Sequence, residues 1–218
     1  MDARYHFKNR AKKLASSILL YLFALSIFGQ SNNLSREQMV QDIDILFSTI
    51  EEVHLDMYTN YPKQQLEIDI ERVKNELEPS GDIFYFYKQI APLVTRLRDG
   101  HTGLFPPFDD LSDYDNVHLF PFSVKITYPD KEIRIQNDCM QAQNKIQAGA
   151  IITSINDIPA NNIVQKMMDY IPGEADFYKT IGVELFFSQL LYILYRDSIF
   201  KIELNINPSF KIKNSRKT

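Results

Sequence analysis

One short stretch of this sequence has residue types that can support acid–base chemistry. It reads Asp99-Gly100-His101-Thr102-Gly103 and directly follows a segment with helical apolar periodicity. A histidine held on a loop by a rigid scaffold is a common way to present a general base. The competing interpretation is a loop histidine that bonds only the backbone and fixes the turn.

The sequence offers no obvious nucleophile to go with this histidine. It contains no glycine-framed serine of the Gly-x-Ser-x-Gly type. Cys139 is the single cysteine, so no internal disulfide can form, and we interpret it as a small half-buried apolar residue. We also expect no metal centre and no cofactor, because His54, His101 and His118 lack the close spacing of zinc ligands.

The composition is that of an ordinary globular protein. Of the 218 residues, 44% are hydrophobic and 24% are charged, and the formal net charge is −4. This length suits one large domain or two small ones. A net negative charge does not favour binding to the phosphates of nucleic acid, so we expect no nucleic-acid partner.

Residues 1–30 have the pattern of a secretory signal peptide. Five basic residues and one acidic residue precede the mostly apolar run Leu14–Phe28. The run is shorter than the ~20 residues that a membrane span needs, although an uncleaved anchor remains the alternative. Cleavage would remove five of 24 basic and one of 28 acidic residues, which leaves 19 and 27 and a charge of −8. We therefore expect an exported, periplasmic or extracellular protein without a stable membrane span after cleavage.

Residues 31–105 are predicted to form a helical domain. The Ser35 to Gln38 spacing is that of a capping box, and the helix it starts should run to about Val53. A second apolar stripe begins at Leu66, and a third helix, capped near Asp82, leads into the histidine loop. Three such helices can bury their stripes against one another.

From residue 117 the apolar period changes to two, which is typical of strands. We predict a linker over 106–116, a β-rich domain with an additional helix over 117–206, and a flexible tail over 207–218. An Asn156-Asp157 turn should join two strands before a helix. The predicted fold class is α+β, a helical bundle followed by a β-rich domain.

These motifs resemble family S41 of the serine peptidases, which comprises tail-specific, C-terminal-processing and tricorn-like enzymes. The run Gly149–Pro159 and the helix after it resemble a PDZ-like domain, and Asp-Gly-His-Thr after a helical region looks like the corresponding family motif. The resemblance covers about residues 34–206. It implies that residues 117–206 are PDZ-like and that the ligand or substrate is a polypeptide.

The resemblance also implies roles for the loop residues. His101 takes the place of the general base, Gly100 and Gly103 would give the turn its conformational freedom, and Thr102 would orient the ring, with Asp99 as a further loop support. The family's nucleophilic serine and oxyanion-hole donors have no counterpart in this sequence. We expect the chain to be inactive alone, either truncated or split from a separate catalytic-core chain.

A non-catalytic interpretation stays open beside this one. The chain could be a PDZ-like module that binds a peptide or docks a partner, with Phe120, Phe122 and Met167 as candidate peptide-binding residues. Capture of a C-terminal carboxylate is not expected, because Pro121 in the relevant strand has no N–H to donate.

Overall fold

The computed structural model describes residues 33–107, 119–138, 148–195 and 201–205. These ranges contain five helices and seven strands, and every strand pair is antiparallel. The predicted α+β class is confirmed.

Several sequence predictions fall on residues outside the described ranges. These are the signal segment 1–30, His118, Cys139, the tail 207–218 and most of the linker 106–116. Within the described ranges, no helix is both long and apolar enough to cross a membrane.

The first helix, α1 (Arg36–Val53), begins at the predicted capping box. The Gln38 N–H donates to the Ser35 hydroxyl over 3.3 Å, and the Ser35 N–H donates to the Gln38 side-chain oxygen over 2.8 Å. Two N–H groups that a helix start leaves unpaired are thereby satisfied. The helix ends at the predicted residue, but Val53 is 73% exposed rather than part of the buried stripe.

Two further helices complete the N-terminal part. Helix α2 (Lys63–Glu76) follows Pro62, and α3 (Ile83–Thr95) is capped by Asp82, whose carboxylate accepts the Tyr85 N–H over 2.7 Å. A two-stranded ribbon, which the sequence analysis did not predict, joins the starts of α1 and α3. Its strands are β1 (Asn33–Ser35) and β2 (Ser80–Asp82).

The three helices share one hydrophobic core, which we call the helical core. Burial of these apolar side chains is the main stabilising contribution to this part of the fold. Its buried members are Met39, Ile43, Phe47, Ile50, Met57, Leu66, Val73, Leu77, Phe86, Ile90, Leu93, Val94 and Leu97.

The second part is built on an antiparallel sheet. Its strands are β3 (Phe122–Ile126), β4 (Ile133–Asp138), β5 (Ile151–Ile155), β6 (Ile158–Pro159) and β7 (Ile202–Asn205). They lie in the order β3-β4-β5-β6, and β7 also pairs with β5. Asn156 and Asp157 form the predicted turn, with φ of 51° and 64°, as a two-residue hairpin of this kind requires.

Two helices pack on this sheet. They are α4 (Ala160–Met168) and α5 (Asp176–Tyr195), the latter interrupted at Phe186, where φ is −110° and ψ is 16°. The buried side chains between the helices and the sheet form a second hydrophobic core, which we call the sheet core. The sheet core also includes Phe84, Tyr87 and Ala91 of α3. Helix α3 therefore contributes side chains to both cores, and the two parts are joined along it.

Specific contacts fix this junction. The Tyr87 ring stacks on Tyr170 with centroids 5.9 Å apart, and the Phe84 ring meets Tyr192 edge-on at 6.1 Å. At the end of α3, the Thr95 hydroxyl donates to the Asp169 carbonyl over 2.8 Å. The residues that follow α3 are therefore held between the helical part and the sheet part.

Candidate active site

The histidine loop starts where α3 tightens and ends. Successive N–H groups of Arg96, Leu97 and Arg98 donate to carbonyls three residues earlier, over 3.1–3.2 Å. Arg98 then adopts a φ of 52°, a left-handed conformation that a residue other than glycine seldom takes. Its guanidinium donates to the Glu174 carbonyl over 2.7 Å, which helps to hold this conformation.

The Asp99 carboxylate organises the loop. Its Oδ1 accepts the backbone N–H of His101 over 2.8 Å and lies 3.3 Å from His101 Nδ1. Its Oδ2 lies 2.7 Å from His54 Nε2 and accepts the Thr102 hydroxyl over 3.0 Å. One carboxylate thus holds the loop backbone, the loop histidine and a histidine at the end of α1.

These hydrogen bonds favour the ionised carboxylate. The backbone N–H of His101, together with the side chains of His54, Thr102 and His101, lowers the pKa of Asp99 to about 2, although partial burial acts in the opposite direction. Asp99 is therefore a permanent negative charge at neutral pH, beside two imidazole rings.

The His101 ring projects into solvent while one edge faces Asp99. Its side chain is 96% exposed. Because Nδ1 faces the carboxylate, Nε2 points away from Asp99 and has no hydrogen-bond partner among the described residues. A neutral imidazole that carries its proton on Nδ1 presents a free Nε2 lone pair, which is the arrangement a general base needs.

Two cavities meet at His101. One, of about 560 Å³, lies between the loop and α5, and the other, of about 460 Å³, lies between the loop and the end of α1. Among the described residues that line them there is no serine and no cysteine. The hydroxyl of Thr102 borders the second cavity, but it already donates to Asp99.

The two loop glycines have a different role from the predicted one. Neither Gly100 nor Gly103 adopts the left-handed φ that would demand glycine. Gly103 is needed for close approach, because a Cβ there would lie 2.5 Å from Cγ of Pro172. A Cβ on Gly100 would meet only the Glu174 carboxylate, at 3.4 Å.

Thr102 contacts Asp99 and not the histidine ring. It was predicted to orient His101, but the 3.0 Å bond from its hydroxyl goes to the carboxylate that faces that ring. Asp99 orients the ring, and Thr102 acts on it through Asp99.

The three candidate peptide-binding residues lie inside the sheet core. Phe120, Phe122 and Met167 are 3%, 4% and 0% exposed. Phe120 packs edge-on against Phe122 and Phe187, at centroid distances of 5.6 Å and 5.2 Å. A peptide on the surface does not reach these side chains, and their alternation in sequence reflects core packing.

His54 belongs to the site, although the sequence analysis named it only among the histidines that lack the spacing of zinc ligands. Its N–H does cap α1 by donating to the Ile50 carbonyl over 2.8 Å. The ring of His54 makes two further contacts. Its Nδ1 accepts the Asp56 N–H over 3.1 Å, so the proton of the neutral ring is assigned to Nε2, which donates to Asp99. No local signal could link residues 45 positions apart.

No further ligand set is evident around these residues. The described part of the chain contains no group of three or more His, Cys, Asp or Glu side chains arranged to hold a metal ion.

Comparisons with known proteins give limited information. No family model matches the sequence, and no curated protein matches it. A crystal structure of mature CPAF is similar over 72% of this chain and 28% of the CPAF chain, with 13% identity and a TM-score of 0.47. A CPAF point mutant matches over 68% of this chain and 27% of its own, with 13% identity and a TM-score of 0.46. This chain spans little more than a quarter of the length of those proteins.

Acid titration tests the Asp99 contacts. Because folding lowers the pKa of Asp99 from 3.8 to about 2, its stabilising contribution is complete above pH ~4 and is lost as the pH falls through ~2. That contribution is about 2 kcal/mol. Asp99→Asn should therefore be less stable than wild type at pH 6, and the gap in unfolding free energy should close between pH ~4 and ~2.

The control for this titration is Asp130→Asn, at an exposed turn. It should track the wild type at every pH. A gap between Asp99→Asn and wild type that stays constant down to pH 2 would contradict the assignment.

The two loop glycines form a matched pair for a packing test. Gly103→Ala forces a methyl group into the Pro172 ring and should cost about 1 kcal/mol or more of unfolding free energy. Gly100→Ala places its methyl group at an ordinary contact distance, 3.4 Å, from the Glu174 carboxylate and should cost less than about 0.5 kcal/mol. Urea unfolding of both variants measures the difference, and equal stabilities would show that the loop does not pack on Pro172 as described.

Proposed function

We propose that this protein is a serine-peptidase-like module of the S41 type, in which His101 is the general base. One observation carries the proposal: Asp99 faces Nδ1 of an exposed imidazole and leaves Nε2 free on a residue that lines two cavities. To activate an alcohol, a histidine needs a carboxylate next to one ring nitrogen and a free lone pair on the other.

The proposed chemistry is acyl transfer. Nε2 of His101 accepts the proton of a serine hydroxyl as the serine oxygen attacks the peptide carbonyl. The same nitrogen then delivers that proton to the leaving amine, and a water molecule later releases the acyl group by the reverse route. Asp99 stabilises the imidazolium that forms between these steps.

The serine and the oxyanion-hole donors come, in this proposal, from polypeptide outside the described residues. The support is that no described serine or cysteine lines either cavity beside His101. Both cavities are lined by His101, and a second polypeptide segment can approach the residue there. The proposal places the nucleophile in one of them.

The sheet part is proposed to be PDZ-like, and the substrate to be a polypeptide. The support is the order of elements: strand β5, the Asn156-Asp157 turn, strand β6 and helix α4, which matches the order that the resemblance implies. Export from the cytoplasm is proposed on the pattern of residues 1–30.

A non-catalytic binding module is the second candidate. The observation that favours it is the exposed apolar lining of the larger cavity, where Phe105 is 74% and Leu185 is 70% exposed, as at a binding surface. In that case the loop would be a structural junction, and removal of the His101 ring would change no chemistry.

A serine-reactive fluorophosphonate distinguishes the two candidates. The tagged full chain is expressed in the cells that encode it, purified under native conditions and treated with the probe. We expect one labelled protein, either this chain or one that copurifies with it. His101→Ala should lower the labelling rate at least ~100-fold, because general-base catalysis contributes about that much.

The control is Glu67→Ala, on the exposed face of α2, which should label like wild type. His101→Ala should keep the wild-type melting temperature, because its side chain is 96% exposed. Absence of any labelled protein, or equal labelling of wild type and His101→Ala, would contradict the peptidase proposal and favour the binding module.

A further inference from the structure

The larger cavity beside His101 has the size of a ligand site. Its volume is about 560 Å³, and it is enclosed by the loop after α3, the segment between α4 and α5, and one face of α5. Pockets of about 300–1,000 Å³ are typical of binding sites for small molecules and side chains. His101 is one of the residues that line the cavity.

Large apolar side chains are exposed around this cavity. Phe105 is 74% exposed, Leu185 70%, Tyr178 62% and Ile181 36%, and all four line the cavity. The Phe105 ring is held edge-on to Phe186, with centroids 5.9 Å apart. Grouped exposure of this kind carries a cost in water and is typical of interaction sites and ligand-binding grooves.

One carboxylate lies at the rim of this apolar cavity. Among the described residues that line it, Glu174 is the one acidic side chain. Its Oε1 accepts the Gly100 N–H over 3.2 Å, and its carbonyl accepts the Arg98 guanidinium over 2.7 Å. The carboxylate is exposed yet fixed in position, and its other lone pairs face solvent.

The backbone contacts keep Glu174 charged. Its own N–H and that of Gly100 lower the pKa of this carboxyl below its ordinary value. A fixed negative charge beside an apolar opening repels acidic residues and chain-terminal carboxylates, and it attracts ammonium and guanidinium groups.

We infer that this cavity binds an extended polypeptide segment in which a large apolar residue and a basic residue are two positions apart. The apolar side chain fills the space between Leu185 and Phe105, and the basic side chain pairs with Glu174. The segment is then bound against the loop that carries His101. This inference rests on the proposed function and supplies its substrate class.

The charge at the rim is what selects a polypeptide of this composition. An uncharged hydrophobic molecule would gain no ion pair with the Glu174 carboxylate, and an acidic partner would be repelled by Glu174 and by nearby Asp99. In an extended chain, successive side chains point to opposite faces and residues i and i+2 share a face, so an apolar side chain and a basic side chain two residues apart can reach the cavity and its charged rim together.

Fluorescence anisotropy with three labelled, end-capped peptides tests this directly. The reference peptide contains Phe-Ser-Lys in a Gly-Ser background, and the other two replace Phe by Ala or Lys by Glu. The reference peptide should bind saturably to the full chain, and each replacement should weaken binding at least tenfold. Failure of the reference peptide to bind, or equal binding of all three, would overturn the inference.

Variants of the protein locate the site. Leu185→Asp should weaken binding at least tenfold, whereas Ile68→Asp, which replaces an exposed residue on α2, should not change it. Glu174→Gln keeps the acceptor for Gly100 and should remove the preference for Lys over Glu, while Asp130→Asn should retain it. An unchanged preference in Glu174→Gln, or unchanged binding in Leu185→Asp, would contradict the inference.

The peptide-binding test and the fluorophosphonate-labelling test can give different outcomes, so this inference and the peptidase proposal can fail independently. Peptide binding without any labelled hydrolase would uphold the site and reject the chemistry. A labelled hydrolase that depends on His101, without peptide binding, would uphold the chemistry and reject this substrate class.

Discussion

The hydrogen bonds to the Asp99 carboxylate are the constraint on which the rest of the site depends. This one group accepts the backbone N–H of His101, faces its ring, and pairs with the ring of His54 and the hydroxyl of Thr102. A partly buried carboxylate is costly unless it is satisfied in this way. The same contacts that stabilise the charge therefore fix the direction in which His101 points.

The loop is also fixed from the opposite side. Arg98 and Gly100 both donate hydrogen bonds to Glu174. Gly103 packs so closely on Pro172 that a methyl group does not fit between them. Asp99 ties the loop to the helical part, while these contacts tie it to the sheet part. A histidine that is almost fully exposed is thereby held in place without being buried itself, which leaves its outer nitrogen accessible to a reacting group.

Much of the fold follows from local sequence signals, but the site does not. The Ser35 capping box, the end of α1 and the Asn156-Asp157 turn follow from residue type and spacing, because each depends on neighbours within four residues. The contact between His54 and Asp99 joins residues far apart in the chain, so no periodicity or motif encodes it.

The sequence also does not indicate which neighbouring element the apolar residues of a strand pack against. The alternation around Phe120 and Phe122 shows which residues share one face of a strand, but not which face is covered by α5. Likewise, a glycine looks the same in sequence whether it supplies an unusual φ or merely a small volume. Gly103 is the second kind, and only the approach of Pro172 reveals it.

The central claim is that Asp99 fixes the His101 ring with its proton on Nδ1 and its lone pair on Nε2. Nitrogen-15 NMR of the ring in its neutral form reports the tautomer directly. We expect the Nδ1–H tautomer to dominate in wild type, and its share to fall in Asp99→Asn. A dominant Nε2–H tautomer in wild type would mean that the outer nitrogen cannot accept a proton, and it would contradict the account.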